Sequence, residues 1–265
     1  MDDDFALPSD TEAALELLHA QCPPGATLSG IAVSPLHMLY SVVHDGTDVD
    51  HELERLRLSH RVRIVQLATP HGVESIVVRP ERFADSLRAF DEIVAGCLAR
   101  CTGYSVRKDE LGAELAVSGT ALDEECDRLA SAGWLRPMMS ATRAGPDELP
   151  EEVGQSWLWA LPEAGRVIVS LLRCRDEVIK LLWKQKFHRS SRAVLEAAPG
   201  VRKALTQTAL DFRYVLRDLL GRRLVSCTEH AAAAGRSVLQ LTPAGEQAAH
   251  ASALRTGGRK RKQSG

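Results

Sequence analysis

The chain has 265 residues, 45% of them hydrophobic and 26% charged, a balance that excludes wholesale disorder and leaves room for two or three small domains. Its net charge of −2 hides a polar distribution: residues 1–165 hold 13 Lys/Arg against 28 Asp/Glu, residues 166–223 hold 14 against 5, and residues 224–265 hold 6 against 2. A polyanion is drawn to the C-terminal part and repelled by much of the rest. No apolar run reaches membrane-spanning length, and the stretch from Asp2, Asp3 and Asp4 onward lacks the basic and apolar regions of a secretory signal.

Residues 1–10 are acidic and expected to fray. A short helix is expected over 11–18, capped by Thr11 or Asp10 and ended by Cys22-Pro23-Pro24-Gly25. Ser34-Pro35 reads as a cap and first helical residue that open a second helix through Val43. After the turn Asp45-Gly46, a helix over 48–58 directs Val49, Leu53, Leu56 and Leu58 toward a core. Two strands, 62–67 and 75–78, flank the loop Thr69-Pro70-His71-Gly72. From Pro80 a long helix carries Phe83, Leu87, Phe90, Ile93, Val94 and Leu98 at helical spacing, and Thr102-Gly103 breaks it.

Short elements near 105–111 precede a helix over 122–132, a strand at 133–135, a Pro- and Gly-punctuated loop over 144–152, and a returning strand over 156–161. The longest helical pattern, 162–187 with a break near Cys174, buries Val167, Ile168, Leu171, Leu172, Val178, Ile179 and Leu182 on one face. Arg166, Arg173, Lys180 and Lys184 lie on another face. Pro199-Gly200 is followed by a short helix near 201–205, a helix over 210–220, a strand over 223–227, an Ala/Gly loop and a strand over 237–241. The tail from Arg255 is expected to be disordered.

Helix, strand, loop, strand thus recurs three times. That is the C-terminal half of a winged helix, a helix-turn-helix variant. The expected fold is α+β and mostly helical, with three tandem winged-helix domains at 11–80, 81–161 and 162–245, between a disordered acidic N-terminus (1–10) and a disordered basic tail (246–265).

Lys and Arg gain free energy by replacing the counterions that phosphates hold. The run from Lys184 to Arg192 mixes Lys184, Lys186, His188, Arg189 and Arg192 with hydroxyls and a ring, which suits phosphate contact. Arg213 and Arg217 lie one turn apart on the third candidate recognition helix, where they are expected to project into a major groove. Arg202, Lys203, Arg222 and Arg223 flank that helix, and Arg175 and Lys180 precede it. In the first copy the equivalent helix mixes signs (His51, Glu52, Glu54, Arg55, Arg57); in the second it is acidic (Asp123, Glu124, Glu125, Asp127), and both are expected to face protein. Arg259, Lys260, Arg261 and Lys262 resemble a nuclear import signal. The six cysteines read as free thiols; Cys97 and Cys101, four apart, have no second pair at zinc-finger spacing, so neither metal nor cofactor is expected.

The segments around Arg61-Val62-Arg63-Ile64-Val65-Gln66-Leu67, Trp157-Leu158-Trp159-Ala160-Leu161-Pro162-Glu163-Ala164-Gly165-Arg166, Lys184-Gln185-Lys186-Phe187 and Asp218-Leu219-Leu220-Gly221-Arg222-Arg223-Leu224-Val225 carry a resemblance to the serine/threonine-protein kinase 19 family. It covers roughly residues 25–243. Despite the family's name, the chain has no Gly-rich phosphate loop, no His-Arg-Asp loop and no Asp-Phe-Gly; Asp211-Phe212-Arg213 lacks the glycine and sits in a helix pattern. No enzymatic activity is expected. The resemblance implies a nuclear, chromatin-associated protein that binds double-stranded DNA and acts in transcription-coupled nucleotide excision repair. Its implied partners are stalled RNA polymerase II, the Cockayne-syndrome factors and TFIIH, and it implies dimer formation. Lys184, Lys186 and Arg175 match the family's basic stretch, whereas His188 stands where basic residues are usual. The alternative is a winged-helix protein scaffold that does not touch DNA.

Overall fold

The structure is a computed structural model that describes residues 8–43, 45–69, 72–100, 103–138, 156–229 and 237–251, with only the backbone for 68, 69, 72 and 97–100. The 144–152 loop, the Ala/Gly loop, the Cys97 side chain, Cys101, residues 1–7 and the tail from Arg255 lie outside what is described; within the two terminal segments expected to be disordered, Ser9 and Asp10 open a capped helix and residues 246–251 are helical. Within it the fold is α+β and mostly helical.

The first run of elements is α1 (Asp10–Ala20), a hairpin of β1 (Thr27–Leu28) and β2 (Ile31–Ala32), β3 (Ser34–Pro35), α2 (Gly46–Leu58), β4 (Arg63–Thr69) and β5 (Gly72–Val78). The second is α3 (Pro80–Arg88), α4 (Glu92–Arg100), β6 (Ser105–Arg107), α5 (Lys108–Leu115), α6 (Thr120–Ser131), β7 (Leu135–Pro137) and β8 (Ser156–Trp159). The third is α7 (Ala164–Lys184), β9 (Arg189–Ser191), α8 (Arg192–Ala197), α9 (Pro199–Thr208), α10 (Phe212–Gly221), β10 (Val225–Glu229) and β11 (Ser237–Leu241). Each run contributes one antiparallel three-stranded sheet, ordered β3-β5-β4, β6-β8-β7 and β9-β11-β10. In all three, the short strand ahead of the helices pairs with the returning strand of the hairpin, which is the sheet order of a winged helix.

Local chemistry sets the boundaries. Ser9, rather than Thr11 or Asp10, caps α1: its hydroxyl accepts from the Glu12 amide and the Glu12 carboxylate accepts from the Ser9 amide, both at 3.2 Å. Ser34-Pro35 is strand, not a helix start; a 3₁₀ turn over Leu36–Ser41 follows it. Proline suits this short edge strand, where its missing N–H interrupts no ladder. The helix expected from Pro80 through Leu98 is two helices. Asp91 begins the second by accepting from the Val94 amide at 2.9 Å, and the break leaves Phe90 and Ile93 40% and 68% exposed. Leu58, expected in the core, is 59% exposed at the end of α2, whereas Val49, Leu53 and Leu56 are buried. The helix α7 runs unbroken through the buried Cys174, and of its expected core face only Leu172 stays half-buried.

The chain gathers into two compact units, neither contiguous in sequence. One comprises described residues within Met1–Ala26, His37–Val49 and Arg166–Gly265; the other, those within Thr27–Leu36 and Asp50–Gly165. In the second unit Phe83 meets Trp134 edge-on with ring centroids 5.5 Å apart, and the buried Arg63 guanidinium lies 5.6 Å from the Phe83 ring and 5.9 Å from that of Trp159. Gly133, at φ 84°, turns the chain from α6 toward β7 with Pro162 packed on its Cα. In the first unit Leu15, Leu18, Met38, Leu39, Leu171, Val178, Leu182, Val215 and Leu219 are buried.

Candidate nucleic-acid interface

The described basic residues expected to contact DNA all belong to the first unit. They divide by what holds them. At the end of α7 the Gln185 amide still donates to the Leu182 carbonyl, 3.0 Å away. Phe187 and His188 then turn left-handed (φ 60° and 51°), and Arg189 enters β9 in extended backbone, paired opposite Gln240 of β11. Lys184, Lys186 and Arg189 are exposed and form no ion pair among the described residues. The Phe187 ring, 64% exposed, has the Lys186 ammonium 5.0 Å and the Arg189 guanidinium 5.4 Å from its centroid. Trp183, also exposed, stacks on His188 with centroids 4.5 Å apart and planes 25° apart. His188 Nδ1 lies 2.9 Å from a Glu246 carboxylate oxygen. Arg192 opens α8, reaching Glu196 at 3.7 Å with its guanidinium 5.9 Å from the Phe212 ring.

Elsewhere Arg202, Lys203, Arg213 and Arg223 are exposed and without an ion pair among the described residues. Lys180 is paired with Glu177 at 3.1 Å. Three of the expected DNA contacts turn inward instead. Arg175 is buried and donates to both Asp218 oxygens, at 2.6 and 2.7 Å. Arg222 donates to the same carboxylate at 3.3 Å. Arg217 is half-buried and donates to Gln21 Oε1 at 2.6 Å. Burial pulls the Arg217 pKa below its ordinary value; Asp211 opposes this and Arg213 adds to it.

These pairings correct the expectation for the third recognition helix. Seven of the ten residues of α10 are buried: Phe212, Tyr214, Val215, Leu216, Asp218, Leu219 and Gly221. His37 Nε2–H donates to Asp218 at 2.7 Å from one side while Arg175 holds it from α7. Gly221 approaches so closely that a Cβ there would lie 2.0 Å from the His37 carbonyl oxygen. Burial alone would raise the Asp218 pKa, but the His37 hydrogen bond and the charge and hydrogen bonds of Arg175 outweigh it and hold the carboxyl at about 2. Asp211 of the kinase-like tripeptide is the cap of α10, accepting from the Tyr214 amide at 2.6 Å.

The other two equivalent helices are as mixed and as acidic as expected. On α2, Arg55 pairs with Glu52 and Arg57 with Glu54, each at 2.6 Å, so both arginines are neutralised within the helix. On α6, Asp123, Glu124 and Asp127 are exposed, and Lys108 pairs with Asp123. Cys22, Cys126, Cys174 and Cys227 form no disulfide among the described residues, and burial raises the pKa of Cys126 and Cys174. Among the described residues no group of His, Cys, Asp and Glu is arranged to hold a metal, and no helix is long and apolar enough to cross a membrane. Arg259, Lys260, Arg261 and Lys262 lie outside the described residues.

Two residues of the exposed cluster were not singled out in the sequence. Phe187 counted only as a ring within a basic run, and Trp183 not at all. The available signal was an aromatic pair four apart, bracketing Lys184 and Lys186, where the apolar period of α7 has already been met by Ile179 and Leu182.

No family model matches the chain. Over 232 residues it is 27% identical to the human (Homo sapiens) protein Winged helix repair factor 1, a match spanning 83% of this chain and 82% of that protein. The mouse (Mus musculus) protein of the same name is 26% identical over 198 residues, 71% of this chain and 69% of that protein. The chain is thus similar, along most of its length, to proteins named for the winged helix, the fold whose sheet order it repeats three times.

Proposed function

We propose that the protein binds double-stranded DNA through phosphate contacts at the α7–β9 junction and joins DNA to repair factors in the nucleus, within transcription-coupled nucleotide excision repair. The observation that carries this reading is the cluster of Lys184, Lys186 and Arg189: exposed, close in sequence, and without ion pairs among the described residues. Arg202, Lys203, Arg213 and Arg223 add exposed positive charge in the same unit. Similarity to proteins named repair factors supports the repair setting, and the chain's resemblance to the kinase 19 family supports the Cockayne-syndrome factors, TFIIH and a second copy of the chain as partners. Because the contacts are to phosphate, affinity comes with little sequence preference, which suits a factor that must act at any lesion. The acidic surface of α6 is left for protein.

The test is duplex binding by fluorescence anisotropy across a salt series, for the wild type and for Lys184→Glu/Lys186→Glu. Wild-type affinity is expected to fall steeply with salt. The double variant is expected to bind more weakly, with a salt slope shallower by about two phosphate contacts, while keeping its fold. Absence of wild-type binding at low salt would overturn the reading. A second reading, a protein scaffold whose basic cluster meets an acidic partner, is favoured by the burial of α10, which removes the helix that would read a groove.

A further inference from the structure

Phosphate contact accounts for Lys184, Lys186 and Arg189 but not for the ring among them. Phe187 is 64% exposed on a surface where an apolar ring gains nothing from water. Its backbone is left-handed, as is that of His188, a conformation disfavoured for residues with a Cβ and retained where the surroundings enforce it. Two cations lie against the ring, from Lys186 and Arg189, and a second aromatic pair, Trp183 on His188, sits beside it in the chain. Aromatic rings interleaved with Lys and Arg are what a nucleic-acid strand with unstacked bases requires: the ring takes the base face, and the cations take the phosphates on either side. In a continuous duplex each base face is already stacked on its neighbours, so the ring would find no partner there.

We propose that Phe187 is a stacking platform for an unpaired base, and that the α7–β9 junction takes duplex DNA adjoining a single-stranded segment in preference to continuous duplex. On binding, the flexible Lys186 ammonium leaves the ring for a phosphate, and the base takes its place, with the Arg189 guanidinium free to stack or to pair with phosphate. The cluster's positive charge, unpaired among the described residues, selects a polyanion rather than an apolar protein surface as the occupant. This proposal rests on the DNA-binding reading above.

The experiment compares a blunt duplex with a forked duplex of equal length and charge, at one salt concentration, for the wild type, Phe187→Ala, Phe187→Trp and Lys184→Glu/Lys186→Glu, with thermal melting to confirm that each variant is folded. A 2-aminopurine at the first unpaired position reports stacking directly through its quenching. Expected are a fork preference of roughly tenfold in the wild type, its loss in Phe187→Ala with duplex binding retained, its recovery in Phe187→Trp, and weaker binding of both substrates by the lysine variant. Equal binding of fork and duplex by the wild type, or a fork preference that survives Phe187→Ala, would overturn the platform and leave the duplex reading standing. Failure of the wild type to bind either substrate would overturn both.

Discussion

The helices α6 and α10 occupy the same place in their respective repeats, between the first strand and the hairpin, yet they meet solvent in opposite ways. The helix α6 buries Leu122, Cys126 and Leu129, an apolar stripe at spacings of four and three, and exposes Asp123, Glu124 and Asp127 against a single arginine, Arg128. The helix α10 buries seven of ten residues and encloses a carboxylate, Asp218, among them. The helix free to meet a partner thus has the wrong sign for DNA, and the helix flanked by the right sign is built into a core. Equivalent position in a winged helix therefore does not transmit function. Here the third helix keeps one exposed arginine, Arg213, while Lys184, Lys186 and Arg189 gather exposed positive charge at the end of α7 and the start of β9.

The largest effect that could break this comparison is at Asp218. Asp218→Ala leaves Arg175 buried beside His37 without a counter-charge and is expected to cost about 3–5 kcal/mol in denaturant unfolding. If α10 were instead a surface reading helix, the variant would keep its stability. Gly221→Ala follows, because its Cβ would meet the His37 carbonyl; about 3 kcal/mol, the upper end for overpacking, is expected in the same assay. Acid should act through the same carboxylate. Its folded pKa, about 2, lies below the ordinary value of 3.8, so the stabilisation is fully present above pH 4 and is lost as the pH falls toward 2. About 2 kcal/mol should disappear across that window in the wild type and be missing from the acid titration of Asp218→Asn. The smallest effect is on the other helix: Glu124→Lys/Asp127→Lys should shift thermal stability by no more than about 0.5 kcal/mol, since both side chains are solvated.

Much of the architecture was legible because periodicity speaks clearly over long segments. The strand over 237–241 and the core face of α7 needed only apolar spacing. The strands β3, β6 and β9 were not seen as strands, since two or three residues carry no alternation; they exist only because a returning strand offers them a ladder. The break between α3 and α4 depended on Asp91 acting as a cap within a run that otherwise kept helical period. At the site, charge made Lys184, Lys186 and Arg189 legible, but charge does not tell a surface arginine from a buried one. For Arg175 the clue was remote: Asp218 sits among Tyr214, Val215 and Leu219, and a lone carboxylate in an apolar face needs a buried partner.

The first unit is closed by contacts between its two ends: Gln21 with Arg217 and His37 with Asp218, separated by 196 and 181 residues. On the ribosome this becomes a delay. At roughly 5–20 residues per second, Gln21 waits on the order of 10–40 s for its partner to be made. The residues of the second unit all emerge within that interval, so it can close first. Throughout, Leu15 and Leu18 of α1, buried in the finished protein, lack the C-terminal part of their unit.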